Sequence, residues 1–458
     1  MRRLRRKAGG IALAGCLACG GPPDTQAPGA AAHAGSVSLG VETGRASRLT
    51  GPGEEQAAAA VHDGDGNLVI AARFAQRLSD ESGPLSVAPG EASVVAKYRP
   101  QGERLWSRTV LARVAAVAAR RDRHVLIAGT FEGSVDLGGG PLTAGEFPTG
   151  VFLGELDAAG RHVWSRAYPL EYTSWFDPRR LRVDRAGNLA MGGLLRGAIY
   201  FGTAVIVADN SAVLLHLDAR GNFQWGYDGE SRFAEASDFA LDEDDNLYLA
   251  GTWASDLYPP IDRIPFVYKF SPTGEVLWRR ELGTVAAQGH AVGVHGNRVV
   301  LTGAFSSPLT FAGTTLSPRG GNEGFLVGFS RAGDERWIRR LGFEGLDLVM
   351  APLDDVTVVG RYRDGDTLGS GAVPGVPGSD TNLFVAQFDR NEGNALRARA
   401  FPMAHPSGVF TGADRYRVSA EEHGTVAFLG GLIAPLDVGP VTLEPDGLRD
   451  LFLLVGRP

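Results

Sequence analysis

Three sets of residues in this 458-residue chain have types and spacings that suit chemistry. The first is acidic: Asp63-Gly64-Asp65-Gly66-Asn67 and Asp242-Glu243-Asp244-Asp245-Asn246 place oxygens at alternate positions, as a hard cation such as calcium requires. Neither run continues into a twelve-residue loop ending in a bidentate glutamate. Asp, Asn and Gly are also what tight hairpin turns demand, so both read first as turns. The second set is the nine histidines, which form no HExxH and no compact metal spacing. His290 and His295, five apart in an expected strand, fall on opposite faces if alternation is regular. The third set is aromatic. Segment 169–180, PLEYTSWFDPRR, carries Tyr172, Trp175 and Phe176 beside acids and arginines. Exposed aromatics in that company suit stacking on sugar faces or anchoring a protein partner. Folded back onto a sheet edge, the same rings are packing residues. No GxSxG, P-loop or GxGxxG before a helix occurs, so no catalytic residue, cofactor site or metal site is expected.

The elements that position these residues come as a repeat. Its clearest copy runs from Asp242 to Trp278: an Asp/Asn turn, a short apolar strand ending near Gly251, a Pro-rich bend, an alternating strand 266–270, a turn at Gly274 and a strand bearing Trp278. The first half returns from Asp63, Arg121, Asp184, His295, Leu353 and Glu421. The second half returns with Trp106, Trp164, Trp225 and Trp337, which together with Trp278 are spaced 53 to 61 residues apart, and Leu396 is expected in the Trp place of the sixth copy. A period of that length with four short strands per unit is the mark of propeller blades. Segments before each turn, such as 57–63 and 114–120, are rich in Ala, Gly and Val, which fit where sheets converge on an axis. The Trp strand is then outermost, its ring packed between neighbouring blades. Loops between a Trp strand and the next small-residue strand gather on one rim, where Tyr227, Phe233, Phe343, His405 and Phe410 are expected beside Tyr172, Trp175 and Phe176.

The last copy stops at LFLLVGRP, without its turn and Trp-type strand. Segment 36–49, SVSLGVETGRASRL, is the candidate to supply it. The expected fold is therefore all-β: a single seven-bladed β-propeller of four-stranded blades over 36–458, closed by pairing of the N- and C-terminal strands, which removes an exposed sheet edge. The pieces FVYKF, TGEVLW, FALDEDDN and LYLAGTW resemble the SBBP-type β-propeller repeat of bacterial proteins, over roughly residues 40–458. That resemblance implies a propeller on secreted or surface-attached proteins, and its motifs specify fold, not chemistry.

Residues 1–19 have a basic n-region and a short apolar stretch, the layout of a secretory signal too short to span a bilayer. Leu13-Ala14-Gly15-Cys16 resembles a bacterial lipobox, with Cys16 as the acylated residue and Cys19 as the competing acceptor. The expected organisation is a signal peptide over 1–15, a flexible Gly/Pro/Ala-rich linker over 16–35, and the propeller. No other cysteine exists, which rules out a disulfide, a thiol nucleophile or a Cys-based metal site in the body. The net charge of −7, about −12 without the basic leader, offers no basic footprint for nucleic acid.

These features lead us to expect a lipid-anchored binding or scaffold module of the bacterial cell envelope, at the outer membrane, serving a protein or glycan partner, without a cofactor and not an enzyme. The alternatives are an envelope enzyme using the propeller channel (glycan lyase, hydrolase or quinone-dependent dehydrogenase) and a scaffold for outer-membrane barrel assembly.

Overall fold

The computed structural model describes residues 45–229, 234–254, 262–283, 286–350, 355–368, 382–403, 416–421, 425–438, 441–446 and 449–456. Val37–Pro458 is one compact unit. Among the described residues the regular structure is β-sheet, and no helix is long and apolar enough to cross a membrane.

The first strand in the chain, β1 (Arg45–Leu49), belongs to the last sheet. The first sheet is β2 (Gln56–His62), β3 (Leu68–Asp80), β4 (Gly83–Tyr98) and β5 (Arg104–Val110). The second is β6 (Arg113–Ala119), β7 (Val125–Glu132), β10 (Thr149–Leu156) and β11 (His162–Leu170), with a side hairpin of β8 (Ser134–Asp136) and β9 (Pro141–Thr143). The third is β12 (Trp175–Val183), β13 (Leu189–Phe201), β14 (Ala204–Leu217) and β15 (Phe223–Tyr227), joined to the second where Leu170 meets Ile199. The fourth is β16 (Ala234–Leu241), β17 (Leu247–Ala254), β18 (Arg263–Phe270) and β19 (Val276–Glu281). The fifth is β20 (Ala287–His295), β21 (Arg298–Phe305), β24 (Glu323–Ser330) and β25 (Glu335–Leu341), with β22 (Leu309–Phe311) and β23 (Thr314–Leu316) as its side hairpin. The sixth is β26 (Glu344–Met350), β27 (Val356–Tyr362), β28 (Asn382–Phe388) and β29 (Ala395–Phe401). The last is β30 (Arg417–Ala420), β31 (Val426–Leu432) and β34 (Asp450–Gly456), with β32 (Leu436–Asp437) and β33 (Thr442–Leu443) beside it. Its fourth strand is β1, antiparallel to β34 from Arg45↔Val455 to Leu49↔Leu451.

Within each quartet the strands pair antiparallel, and the opening strands of successive sheets lie against one another: β2 with β6, β6 with β12, and onward to β30, which also lies against β2. This is propeller architecture, and small side chains permit it. Ala58, Ala59, Ala115 and Ala116 are buried where opening strands meet, and a larger side chain there would drive the sheets apart.

The Trp strands are the outer ones, and each ring reaches the next sheet. Trp106 Nε1 donates to Ala158 O at 3.0 Å, Trp225 Nε1 to Pro272 O at 2.9 Å, and Trp278 Nε1 to Arg331 O at 3.0 Å. All three acceptors occupy the second position of the following sheet's last turn. Trp164 departs from the pattern, its Nε1 bonding Glu155 Oε2 at 2.7 Å while Tyr168 Oη takes over the contact to Gly221 O at 2.6 Å. At Trp337 the facing turn is one residue longer, with Asp389 N–H bonded to Asn394 O, and the indole N–H finds no acceptor among the described residues. Arg45 of β1 completes the series by donating to Gly102 O of the first sheet.

Candidate functional site

A repeated irregularity in the opening strands builds the site. Each of β2, β6, β12, β16, β20 and β26 slips register by one residue near its start, leaving Ala58, Ala115, Arg179, Ser237, His290 and Leu346 as bulged residues. A bulge re-aims its side chain out of the alternation. Here all six line one basin of about 410 Å³. The repeated glycine of the second strand accommodates the bulge. A Cβ on Gly251 would fall on the carbonyl oxygen of Glu235 and 2.9 Å from the Phe266 ring. In five of the six sheets glycine relieves this close approach, and in the first sheet the place is taken by Ala72, the next smallest residue.

Beneath the basin lies a buried ion cluster. Arg180, Asp238 and Asp347 each follow a bulged or lining residue, and they are 8%, 2% and 0% exposed. Arg180 Nε donates to Asp238 Oδ1 at 2.6 Å, and its Nη2 donates to Asp347 Oδ1. The remaining carboxylate oxygens accept backbone N–H groups, Asp238 Oδ2 from Val292 at 3.1 Å and Asp347 Oδ2 from Val418 at 3.0 Å. The third to seventh sheets are thus tied through one guanidinium. Burial alone would weaken the hold of Arg180 on its proton, but the two carboxylates overcome it and push the pKa up. Arg182, two residues on, is pushed down by burial and by Arg180.

The basin wall is polar. Asp177 pairs with Arg113 at 2.7 Å and with Arg179 at 2.9 Å. His290 Nδ1 lies 2.8 Å from Gly345 O and 3.5 Å from Glu344 Oε1. Glu235 and Arg417 join from the fourth and last sheets. Arg73 and Arg113 also line a second cleft of about 520 Å³, whose far wall includes Trp175. The two hollows share those arginines in their walls.

The expected aromatic rim divides. Tyr172 is 61% exposed and Trp175 38%. Phe176, Tyr227 and Phe343 are buried, which corrects their placement among exposed rings. Phe176 belongs to the core of the second and third sheets, and Tyr227 packs on Phe270 at 5.0 Å. Phe343 is covered by the guanidinium groups of Arg363 and Arg361, 4.1 and 5.0 Å from its centroid. Cys16, Cys19, Phe233, His405 and Phe410 lie outside the described residues.

The two acidic runs are turns. Asp63 Oδ1 accepts the N–H groups of Asp65 and Asn67, both at 2.9 Å, and Oδ2 faces Lys97 Nζ at 2.6 Å. Asp242 repeats the pattern with Asp244 and Asn246, its Oδ2 taken by Arg331 and Tyr248. Their oxygens are already satisfied by protein donors, which pull both carboxyls below their usual range despite burial. The bulge at His290 also breaks the alternation expected of β20, so His290 borders the basin and His295 a hollow at the strand's other end.

Sequence reasoning missed Asp177, Arg179, Arg180, Asp238, Glu344 and Asp347. For Arg180, Asp238 and Asp347 a signal was present: a charged residue at a place where other copies read Ala59, Ala116 and Ala291. The chain matches no protein-family model and no curated protein. Among solved structures it is similar to the β-propeller domain of the Trilobed protease from Pyrococcus furiosus, at 10% identity and a TM-score of 0.43, covering 88% of this chain and 94% of that one. It is also similar to a protein of unknown function from Bacteroides caccae, at 11% identity and a TM-score of 0.32, covering 67% and 89%.

Proposed function

We propose that this chain is a seven-bladed β-propeller over residues 36–458, closed by β1, held on the bacterial cell envelope by lipid on Cys16, and acting as a binding or scaffold module through its basin. The observation that carries the binding role is the basin, where Arg179, Glu235, His290, Glu344 and Arg417 converge from five sheets over a floor fixed by Arg180. Concave sites with a few convergent polar groups are where propellers and other rigid scaffolds take ligands. Closure is supported by the pairing of β1 with β34 and the contact of β30 with β2. Anchoring at the outer membrane is supported by the lipobox-like Leu13-Ala14-Gly15-Cys16. The partner is a protein or a glycan, reached without a cofactor.

The address is tested by mass spectrometry of the mature N-terminus together with surface proteolysis of intact cells. Acyl chains on Cys16 are expected, and cleavage without acylation refutes the anchor. The binding role is tested by Arg179→Ala and Glu235→Gln in the folded protein, each expected to weaken partner capture at least tenfold. Binding indifferent to both refutes the basin.

A competing reading, an envelope hydrolase or lyase, is favoured by one observation: His290 stands beside Glu344 in the same basin as Asp177 and Glu235. Turnover of a glycan, abolished by His290→Ala, would establish it in place of the binding role.

A further inference from the structure

The cleft that shares Arg73 and Arg113 with the basin has a construction of its own. Its volume of about 520 Å³ lies within the range of small-molecule sites, roughly 300–1,000 Å³. One wall is the half-exposed ring of Trp175, and polar side chains from other strands face the same space: Arg73, Arg113, Thr130, Glu132 and Thr149. Register explains why they stand together, since Arg113 opposes Thr130 and Glu132 opposes Thr149 across β6, β7 and β10.

Trp175 directly follows a constrained turn. Ser174 N–H donates to Glu171 O at 2.9 Å, Glu171 N–H to Ala198 O at 3.0 Å, and Ala198 N–H to Ser174 Oγ at 3.0 Å. Between them Thr173 has φ +66°, a conformation that a β-branched residue seldom adopts. Retained strain of this kind clusters at functional sites, and here it immediately precedes the strand that opens on Trp175.

Charge decides the class of ligand. The cleft's arginines are matched, Arg113 with Asp177 at 2.7 Å and Arg73 with Glu91 at 3.2 Å, so little net charge is left to recruit an ion. Each pair nevertheless keeps N–H donors and carboxylate lone pairs beyond those its partner uses. A neutral polyhydroxylated molecule fits that inventory, because every hydroxyl both donates and accepts, while the apolar face of a sugar ring matches an indole plane. We infer that the cleft beside Trp175 binds a neutral oligosaccharide, with Trp175 as stacking platform and Arg73, Arg113 and Glu132 as hydroxyl partners. This deepens the proposed binding role and rests on it.

The test is calorimetric titration of the purified full chain with cellohexaose, xylohexaose, maltohexaose and chitohexaose, with an oligogalacturonate as the acidic comparison. Tryptophan fluorescence is followed in parallel. We expect saturable binding of at least one neutral sugar with a fluorescence change, weakened tenfold or more by Trp175→Ala, partly restored in Trp175→Phe, and weakened several-fold by Glu132→Gln, with melting temperatures unaltered. Binding confined to the acidic sugar overturns the inference, as does neutral-sugar binding that Trp175→Ala leaves intact. If such Trp175-independent binding is lost in Arg179→Ala, the ligand sits in the basin and the binding role survives. If no sugar binds, the inference falls alone, and the binding role is then decided by the basin variants against protein partners.

Discussion

Arg180 Nε donates to Asp238 Oδ1 at 2.6 Å from one sheet to the next, while its other end pairs with Asp347 three sheets away. Both carboxylates are almost wholly buried, so each depends on this guanidinium for its counter-charge. Breaking a buried pair from one side strands a charge and costs about 3–5 kcal/mol. Arg180→Ala is therefore expected to destabilise the propeller by that amount in urea unfolding. Arg180→Lys should recover only part of it, because one ammonium does not supply the guanidinium's fork. A loss under 1 kcal/mol would show that the cluster is not a structural tie.

The outer strands offer an internal control. Trp278, opposite Lys269, covers the next sheet's turn at Gly333 and bonds Arg331 O. In the sixth copy the longer turn puts Arg397, opposite Gln387, in that place, which corrects the expectation for Leu396, the bulged residue before it and 53% exposed. Trp278→Ala should cost about 2–4 kcal/mol and Leu396→Ala about 0.5 kcal/mol or less. Equal costs in thermal or urea unfolding would contradict the role assigned to the indole.

Gly251 has no room for a side chain, with the Glu235 carbonyl and the Phe266 ring occupying the Cβ direction. Gly251→Ala is expected to cost about 1–3 kcal/mol, since the neighbour is backbone and cannot rotate away. Because the displaced carbonyl belongs to the bulge, amide exchange at 235–238 should rise in this variant more than in Trp278→Ala. Unchanged exchange there would separate the glycine from the bulge.

Glu55 supplies the pH dependence. Its side chain is fully buried, and burial, followed by Asp450, outweighs the nearby backbone N–H groups of Gly53 and Glu55 and pushes its pKa up from 4.5 to about 7. The folded protein thus holds this proton more firmly than the unfolded chain. The stabilisation is complete below about pH 4.5, declines as pH rises toward 7, and is absent above, a change on the order of 1–3 kcal/mol. Glu55→Gln should raise the melting temperature at pH 8 and flatten its dependence between pH 5 and 8. A variant that melts in parallel with wild type across that range would exclude Glu55 as the source.

The repeat was legible because each of its parts is a local requirement. Asp63 and Asp242 were readable as turn residues from the sequence around them, and Asp63 Oδ1 indeed bonds the amides two and four residues on. Trp106, Trp225 and Trp278 were readable as packing residues from their recurrence, and Ala-rich segments such as 114–120 as the strands that meet at the centre. The segment that pairs with β34 was readable from a missing strand at the other end of the chain. Tyr172 and Trp175 stood outside the pattern and are indeed exposed, but nothing local distinguished Trp175 from Phe176, its neighbour. Alternation along β12 leaves Trp175 exposed at the cleft and turns Phe176, which also borders it, into the core.

The sequence alone determined the kind of unit, its period, its turns and the small-residue strands, because these are set by side-chain size, φ preferences and spacing within a few tens of residues. Only the tertiary structure decided the site. A one-residue slip repeated in six opening strands turns Arg179, His290 and their counterparts into one basin, and Arg180 finds Asp347 167 residues away. No local rule encodes either outcome, because the slip is a property of two paired strands and the ion cluster depends on sheets brought together at a common centre.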